Sequence, residues 1–160
     1  MDFMSVFIMD PITITTYNLH GFNQGKVLLP SLCNCSDIIL IQEHRLYPDE
    51  LYKLERTDDN FVSIATSAMQ INTVCGPRKG RPFGGVGVLL RNSIAASAKC
   101  VAKEDRFIAL FVGDVLIVNV YLPCDTNDSY YVEALHDIIQ KIETVIVSNG
   151  ATNVLIGGDF

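Results

Sequence analysis

The 160-residue chain contains no tryptophan, no C-x-x-C pair and no excess of positive charge. Its five cysteines are odd in number and lack the spacing of a zinc site. We therefore predict free thiols, several of them buried, in a reducing intracellular compartment, nuclear or cytoplasmic, and not a secreted disulfide scaffold. No apolar run reaches the roughly 18 residues that a membrane-spanning helix needs, so we expect no membrane partner. We also expect no obligate oligomer.

The formal net charge of −6 excludes a protein that holds nucleic acid by a bulk positive potential, although a bound metal ion can reverse the field locally. The locally basic stretch holds Arg78, Lys79 and Arg81, with Arg91 further on. It is either a solvated loop or a set of contacts to a DNA backbone.

Hydrophobic periodicity predicts mainly strands. Residues 1–11 are expected to be a disordered leader before a single domain over 12–160. Strands are predicted over 12–17, 38–41, 61–66, 85–91, 94–101, 106–112 and 115–121. Asn92-Ser93 and Gly113-Asp114 are predicted to be hairpin turns.

One segment is clearly helical. Apolar residues recur at steps of three and four between Val132 and Ile146, with Asn127 or Asp128 as the N-cap and Gly150 beyond the C-terminus. Weaker helices are predicted over 27–35 and 48–54.

Polar side chains stand where several apolar runs end. Asn18, Glu43, Tyr121 and Asp159 each follow such a run, which indicates a site along one rim of a sheet. Carboxylate and amide oxygens of this kind suit Mg²⁺ or Mn²⁺. For any one acid taken alone, a helix cap or a surface ion pair is the better interpretation. The three oxygen ligands Asn18, Glu43 and Asp159 at three strand ends favour a site.

Strand alternation places Asn119 on the same face as Tyr121, opposite Leu116, Val118 and Val120. Asn119 therefore points either inward or toward a site. It could instead bond a neighbouring loop, and Tyr121 could simply close the core.

Five short motifs follow one another along the chain. They are Thr16-Tyr17-Asn18-Leu19-His20-Gly21, Ile41-Gln42-Glu43-His44, Arg81-Pro82-Phe83-Gly84-Gly85-Val86-Gly87-Val88, Asn119-Val120-Tyr121-Leu122-Pro123 and Gly157-Gly158-Asp159-Phe160. In order and spacing they resemble the motifs of the endonuclease/exonuclease/phosphatase superfamily. The most similar branch is the endonuclease domain of non-LTR retrotransposons.

The resemblance implies an α+β fold, a four-layer α/β/β/α sandwich of two mixed sheets, and metal-dependent hydrolysis of DNA. It implies that Glu43 binds Mg²⁺ or Mn²⁺, that Asn18 helps to hold the metal or the scissile phosphate, and that Tyr121 contacts that phosphate with Asn119 beside it. Asp159 would orient or deprotonate the attacking water. Arg106 matches a recurring arginine, for which a structural ion pair is expected.

The same resemblance has further consequences. A reverse transcriptase domain is expected in a longer parent protein. The family pattern calls for an asparagine after Phe160, a later aspartate and a closing Ser-Asp-His. His20, His44 and His136 are not expected to substitute, because His136 lies on the long helix and His20 and His44 are expected to be loop or rim side chains. Residues 12–160 would then be the N-terminal two-thirds of the domain, incomplete at the C-terminus, without nuclease activity alone and with an apolar edge exposed on the last strand.

Other interpretations stay open. Within the superfamily these are an apurinic/apyrimidinic repair endonuclease and a phosphatase acting on inositol phosphates or sphingomyelin. Outside enzymes, the chain could be a domesticated binding module without catalytic activity.

Overall fold

The structure is a computed structural model that describes residues 11–69, 82–124 and 129–160, with the side chains of 129 and 130 left aside. Residues 1–10 of the predicted leader, the basic residues Arg78, Lys79 and Arg81, and the proposed N-cap residues Asn127 and Asp128 lie outside the described residues.

The first sheet has the strand order β1-β2-β4-β3. Its strands are β1 (Ile14–Asn18), β2 (Ile38–Gln42), β3 (Phe61–Thr66) and β4 (Val86–Arg91). β1 and β2 are parallel, whereas β4 is antiparallel to both of its neighbours. The side chains of β2 are all buried because layers cover both of its faces, which explains its unbroken apolar sequence.

The second sheet has the order β5-β6-β7-β8. Its strands are β5 (Ala98–Lys103), β6 (Phe107–Val112), β7 (Val115–Tyr121) and β8 (Asn153–Asp159). β5, β6 and β7 form an antiparallel meander, and β8 joins β7 in parallel. The predicted turn at Gly113-Asp114 is confirmed, with Gly113 in the left-handed conformation at φ 60°.

Short helices cover the outer face of the first sheet, and one long helix covers the second. The short ones are α1 (Phe22–Gly25), α2 (Leu29–Cys35), a 3₁₀ turn (Pro48–Glu50) and α3 (Tyr52–Glu55). A further short helix, α4 (Asn92–Ala95), follows β4 and packs Ile94 and Ala95 against the apolar cluster between the sheets. The long helix is α5 (Ser129–Ser148). Its C-terminus is a Schellman motif: Gly150 adopts φ 60°, its N–H donates to the Val147 carbonyl at 3.1 Å, and that of Ala151 donates to Ile146 at 3.1 Å.

Three apolar clusters separate the layers. The central cluster lies between the sheets and joins Leu40 and Val88 to Leu110 and Ile117. A second cluster packs the outer face of the first sheet against α2 and α3, and a third packs the second sheet against Ile138 and Ile142 of α5. The predicted four-layer α/β/β/α sandwich is therefore confirmed.

The prediction of a hairpin at Asn92-Ser93 was wrong. Residues 92–95 form the short helix α4, and the chain then leaves the first sheet to begin β5 in the second. The Asn92 N–H donates to the Asn60 carbonyl at 2.8 Å, and its side chain donates to Asp59 at 3.0 Å. These contacts hold the turn against the end of β3 and direct the chain away from β4.

β8 lies at the edge of the second sheet and exposes Val154, Leu155 and Ile156, which confirms the predicted apolar edge.

The described cysteines are free thiols, but only Cys33 among them is buried; Cys35, Cys100 and Cys124 are exposed, contrary to the expectation of several buried thiols. Within the described parts of the chain, no helix combines the length and apolar character needed to cross a bilayer.

Candidate active site

The carboxyl ends of four strands meet at one rim of the sandwich. β1 and β2 run parallel, with Asn18 level with Gln42, and β7 and β8 run parallel, with Tyr121 level with Asp159. Two parallel pairs, one in each sheet, therefore bring their final side chains to a common place.

Asn18 connects the two sheets at this rim. Its side-chain Nδ2 donates to Glu43 Oε1 at 3.1 Å and to Asp159 Oδ2 at 2.7 Å. The second of these bonds joins residues at nearly opposite ends of the sequence, and it holds the two carboxylates toward one amide group.

The amide oxygen of Asn18 is already engaged. It accepts the backbone N–H of His20 at 2.9 Å, which fixes the amide orientation and leaves the NH₂ group facing the carboxylates. This geometry favours a role for Asn18 in positioning the two acids. Direct metal ligation by Asn18 would use the second lone pair of this oxygen, and it stays a prediction.

Glu43 is the centre of the cluster, with a side chain that is only 14% exposed. Its Oε1 also accepts the Tyr121 hydroxyl at 3.1 Å, and its Oε2 pairs with the Arg45 guanidinium. Burial raises the pKa of Glu43, but the hydrogen bonds from Asn18, Arg45 and Tyr121 outweigh burial and lower the pKa below its ordinary value. Glu43 is therefore a carboxylate at neutral pH.

Tyr121 keeps its proton. Burial and the neighbouring Glu43 charge raise the pKa of its hydroxyl, so at neutral pH it is a hydrogen-bond donor. The guanidinium of Arg106 lies 4.9 Å from the centre of the Tyr121 ring. Among the described residues Arg106 has no acidic partner, so the expected structural ion pair is not found there. The Arg106 guanidinium packs on the Tyr121 ring instead.

The loop after β2 has an unusual backbone. Glu43 and Arg45 both adopt left-handed conformations, at φ 51° and 53°, which costs a residue with a side chain about 1–3 kcal/mol. Between them His44 is fully buried, accepts the Leu46 N–H at Nδ1 (3.0 Å) and donates from Nε2 to the Thr66 carbonyl (2.9 Å). The imidazole is thus a neutral structural group and not the rim side chain that the sequence predicted.

Glycines make room for this loop and for β8. A Cβ on Gly85, which has φ 86°, would lie 2.4 Å from Cε1 of His44. A Cβ on Gly158, at φ 149°, would lie 1.8 Å from the Val120 carbonyl oxygen. Both positions need glycine for space as well as for backbone conformation.

Asn119 lies beneath the site and is completely buried. Its Nδ2 donates to the carbonyls of Ile41 at 2.9 Å and Gly87 at 2.8 Å, and its Oδ1 accepts Gln42 Nε2 at 2.6 Å. Both the amide nitrogen and the amide oxygen of Asn119 are bonded to groups of the opposite sheet. The geometry therefore assigns Asn119 to joining the sheets rather than to phosphate contact. No pattern in the sequence indicated that Gln42 would be its partner.

A cleft of about 450 Å³ opens beside Glu43. Its lining includes His20, Arg45, Lys53 and Tyr47. The His20 side chain is 70% exposed, as expected of a rim residue, with Nδ1 4.0 Å from Glu43 Oε2. The sequence pattern did not single out Arg45, which lines the cleft and forms an ion pair with the Glu43 carboxylate.

The donor set fits a hard divalent cation. Glu43 and Asp159 contribute two carboxylates, while within the described residues Arg45 is the one permanently charged partner of Glu43 and Asp159 has no ion pair. No group of three or more His, Cys, Asp or Glu side chains comes together among the described residues. Mg²⁺ needs only one or two carboxylates because it retains several waters, so this pair is sufficient.

Neither protein-family models nor curated proteins gave a match to this chain. Solved structures did, and they belong to the exonuclease/AP endonuclease/phosphatase superfamily. A 3′ phosphatase from Neisseria bound to a product DNA hairpin has a TM-score of 0.64 at 18% identity, over 94% of this chain and 58% of that one. An AP endonuclease from Archaeoglobus fulgidus has a TM-score of 0.61 at 14% identity, over 93% and 57%.

An AP endonuclease from Leishmania major has a TM-score of 0.62 at 17% identity, over 92% of this chain and 54% of that chain. The chain thus spans little more than half the length of these structures. At such identities the likeness shows that the chain has the fold of these nucleases and phosphodiesterases.

Proposed function

We propose that this chain carries the metal-binding part of a phosphodiesterase site that acts on DNA, an endonuclease of retrotransposon origin. The observation that carries the proposal is the bridge from Asn18 to Glu43 and Asp159, which brings one acid from each sheet to a single rim. Shared fold with nucleases and phosphodiesterases supports phosphodiester hydrolysis, and the structure bound to a DNA hairpin supports DNA as the substrate.

Each side chain has a distinct task in this proposal. Glu43 would hold Mg²⁺ or Mn²⁺, with Asn18 fixing its carboxylate; the ion, when bound, neutralises charge that develops on the phosphate. Asp159 would accept a proton from the attacking water, and the Asn18 amide at 2.7 Å holds it in place for this. The protonated Tyr121 hydroxyl would donate to a phosphate oxygen after exchanging its present acceptor, Glu43.

The described histidines supply little further help. His44 is buried and structural, and His136 lies on the exposed surface of α5, which leaves only His20 near Glu43. We therefore expect the chain to nick plasmid DNA poorly or not at all, because no histidine in the described part of the chain is held at the site by a hydrogen bond to protonate the leaving oxygen. Plasmid nicking with Mg²⁺ that disappears in Glu43→Ala would contradict this expectation.

The test uses a diester that needs no such donor. Hydrolysis of bis(p-nitrophenyl) phosphate, whose leaving group departs as an anion, is measured with and without Mg²⁺. We expect Mg²⁺-dependent turnover that falls to background in Glu43→Gln and about 10²- to 10⁴-fold in Asp159→Asn. The matched control is Asp114→Asn, an exposed aspartate at the opposite end of β7, which should retain full turnover.

Turnover that needs no metal, or that survives in Asp159→Asn, would refute the proposal. The retrotransposon origin rests on the Gln-Glu-His, Gly-Gly-Val and Gly-Gly-Asp-Phe forms of the motifs, and it implies a reverse transcriptase domain in a longer parent protein.

A repair-type substrate is the second candidate, because structures that share the fold include AP endonucleases and a 3′ phosphatase. The affinities of the chain for an abasic DNA duplex and for an intact duplex of the same sequence distinguish a repair-type protein from a retrotransposon endonuclease. A repair-type protein prefers the abasic duplex, whereas the endonuclease of the first proposal does not.

A further inference from the structure

The guanidinium of Arg45 occupies the side of Glu43 that a metal ion would need. Oε1 of Glu43 already accepts two hydrogen bonds, from Asn18 at 3.1 Å and Tyr121 at 3.1 Å. An ionised carboxylate has about four acceptor positions, two on each oxygen. The two remaining positions are therefore on Oε2. Arg45 donates to that oxygen, so a cation that binds Glu43 either shares Oε2 with the guanidinium or displaces it.

The backbone of this loop is held from both sides. The Glu43 carbonyl accepts Gly21 N–H at 2.8 Å, the His44 carbonyl accepts Phe22 N–H at 2.9 Å, and Arg45 N–H donates to Gly84 at 2.9 Å. With His44 buried between them, Glu43 and Arg45 present their side chains to the same side of the loop. The fixed backbone thus places the Arg45 side chain next to the Glu43 carboxylate.

The Arg45 side chain, in contrast, has room to move. It is 40% exposed and lines the cleft of about 450 Å³ beside Glu43. Rotation about its side-chain bonds would carry the guanidinium from the carboxylate into the cleft without disturbing the fixed backbone.

Building on the proposed function, we propose that Arg45 is a resident counter-ion of Glu43 that a divalent cation must displace, and that displacement moves the guanidinium into the adjacent cleft. There its planar set of donors suits a phosphate group of the substrate. Without metal, Arg45 offsets one of the two carboxylate charges; with metal, the two cations repel each other at Glu43.

The repulsion is large enough to measure. Between a unit charge and a divalent charge about 4 Å apart, even the dielectric of water gives an effect of roughly thirtyfold in affinity, and a half-buried site gives more. Flexible solvent-exposed groups relax, so we expect removal of the Arg45 charge to tighten metal binding by at least about tenfold.

The experiment is a titration of the chain with Mn²⁺ alone, in which electron paramagnetic resonance reports free ion. Arg45→Gln should lower the Kd at least about tenfold, and Arg45→Lys should stay near the wild-type value. Arg56→Gln is the control, since it makes the same change in net charge at an exposed arginine that stacks on Tyr52 and does not line the cleft. It should change the Kd less than about twofold. Circular dichroism melts show that each variant is folded.

Equal or weaker Mn²⁺ binding in Arg45→Gln than in Arg56→Gln would overturn the inference and leave the proposed function standing, provided that Glu43→Gln abolishes binding. If neither wild type nor Arg45→Gln binds Mn²⁺ in a manner that depends on Glu43, the proposed function and the inference both fail. Binding that is seen only in Arg45→Gln supports the inference in its strongest form.

Discussion

Asn119→Ala is expected to be among the most destabilising single changes in the chain. The side chain is fully buried and forms three hydrogen bonds of 2.6–2.9 Å that cross from β7 to β2 and β4. Alanine removes all three and leaves two main-chain carbonyls and the Gln42 amide without this partner, in a place that water does not reach.

The magnitude follows from the partners that lose a bond. A buried polar group without its partner costs about 1–3 kcal/mol, but Gln42 keeps its bond to Thr16 at 3.1 Å and carbonyls have a second acceptor position. We therefore expect a loss of about 3–4 kcal/mol in the free energy of unfolding. Against the usual total of 5–15 kcal/mol, that is a large fraction.

Urea unfolding, followed by circular dichroism, measures this loss. With a slope of about 2 kcal/mol per molar urea, the midpoint should fall by roughly 1.5–2 M. The control is Asn153→Ala, which removes an exposed amide bonded to Asp114 at 2.8 Å and should cost less than about 0.5 kcal/mol. A loss below about 1 kcal/mol in Asn119→Ala would refute the view that this residue joins the sheets.

Three further predictions concern pH, packing and the open edge. Burial lowers the pKa of His44 below 6.5, so the unfolded chain binds more protons and stability falls as pH drops from 6.5 toward the folded pKa. His44→Gln should flatten that fall in urea unfolding between pH 7 and pH 5; an unchanged slope contradicts the assignment. Gly158→Ala would press a Cβ against the Val120 carbonyl, so its melting temperature should drop by at least about 5 °C, and a wild-type melt would contradict the packing. Leu155→Lys, on the exposed strand β8, should reduce the self-association measured by sedimentation at high protein concentration. Self-association equal to that of the wild type would show that this edge does not mediate contacts between chains.

Features that depend on strand alternation and on polar residues at strand ends could be predicted from the sequence. Strand alternation placed Asn119 and Tyr121 on one face, and the structure puts Ile117 and Tyr121 toward the first sheet while Leu116, Val118 and Val120 pack toward α5. Asn18, Glu43, Tyr121 and Asp159 follow strand ends, and parallel pairing brings those ends together.

Other features depend on tertiary contacts that no local pattern contains. Asn92-Ser93 has the composition of a hairpin turn, yet contacts with Asn60 and Asp59 direct the chain into the other sheet. The left-handed conformation of Arg45 is imposed by the buried His44 and by neighbouring loops, so its position on Glu43 could not be predicted from sequence.

The central claim is that Glu43 binds a divalent cation at the shared rim of the two sheets, with Asp159 beside it as the base for the attacking water. Its most direct test is the number of Mn²⁺ ions bound per chain at neutral pH in wild type and in Glu43→Gln. The account predicts one ion per wild-type chain and at least about hundredfold weaker binding in Glu43→Gln, because the variant loses a ligand itself and not merely a supporting group. Equal Mn²⁺ binding in the two proteins would contradict it.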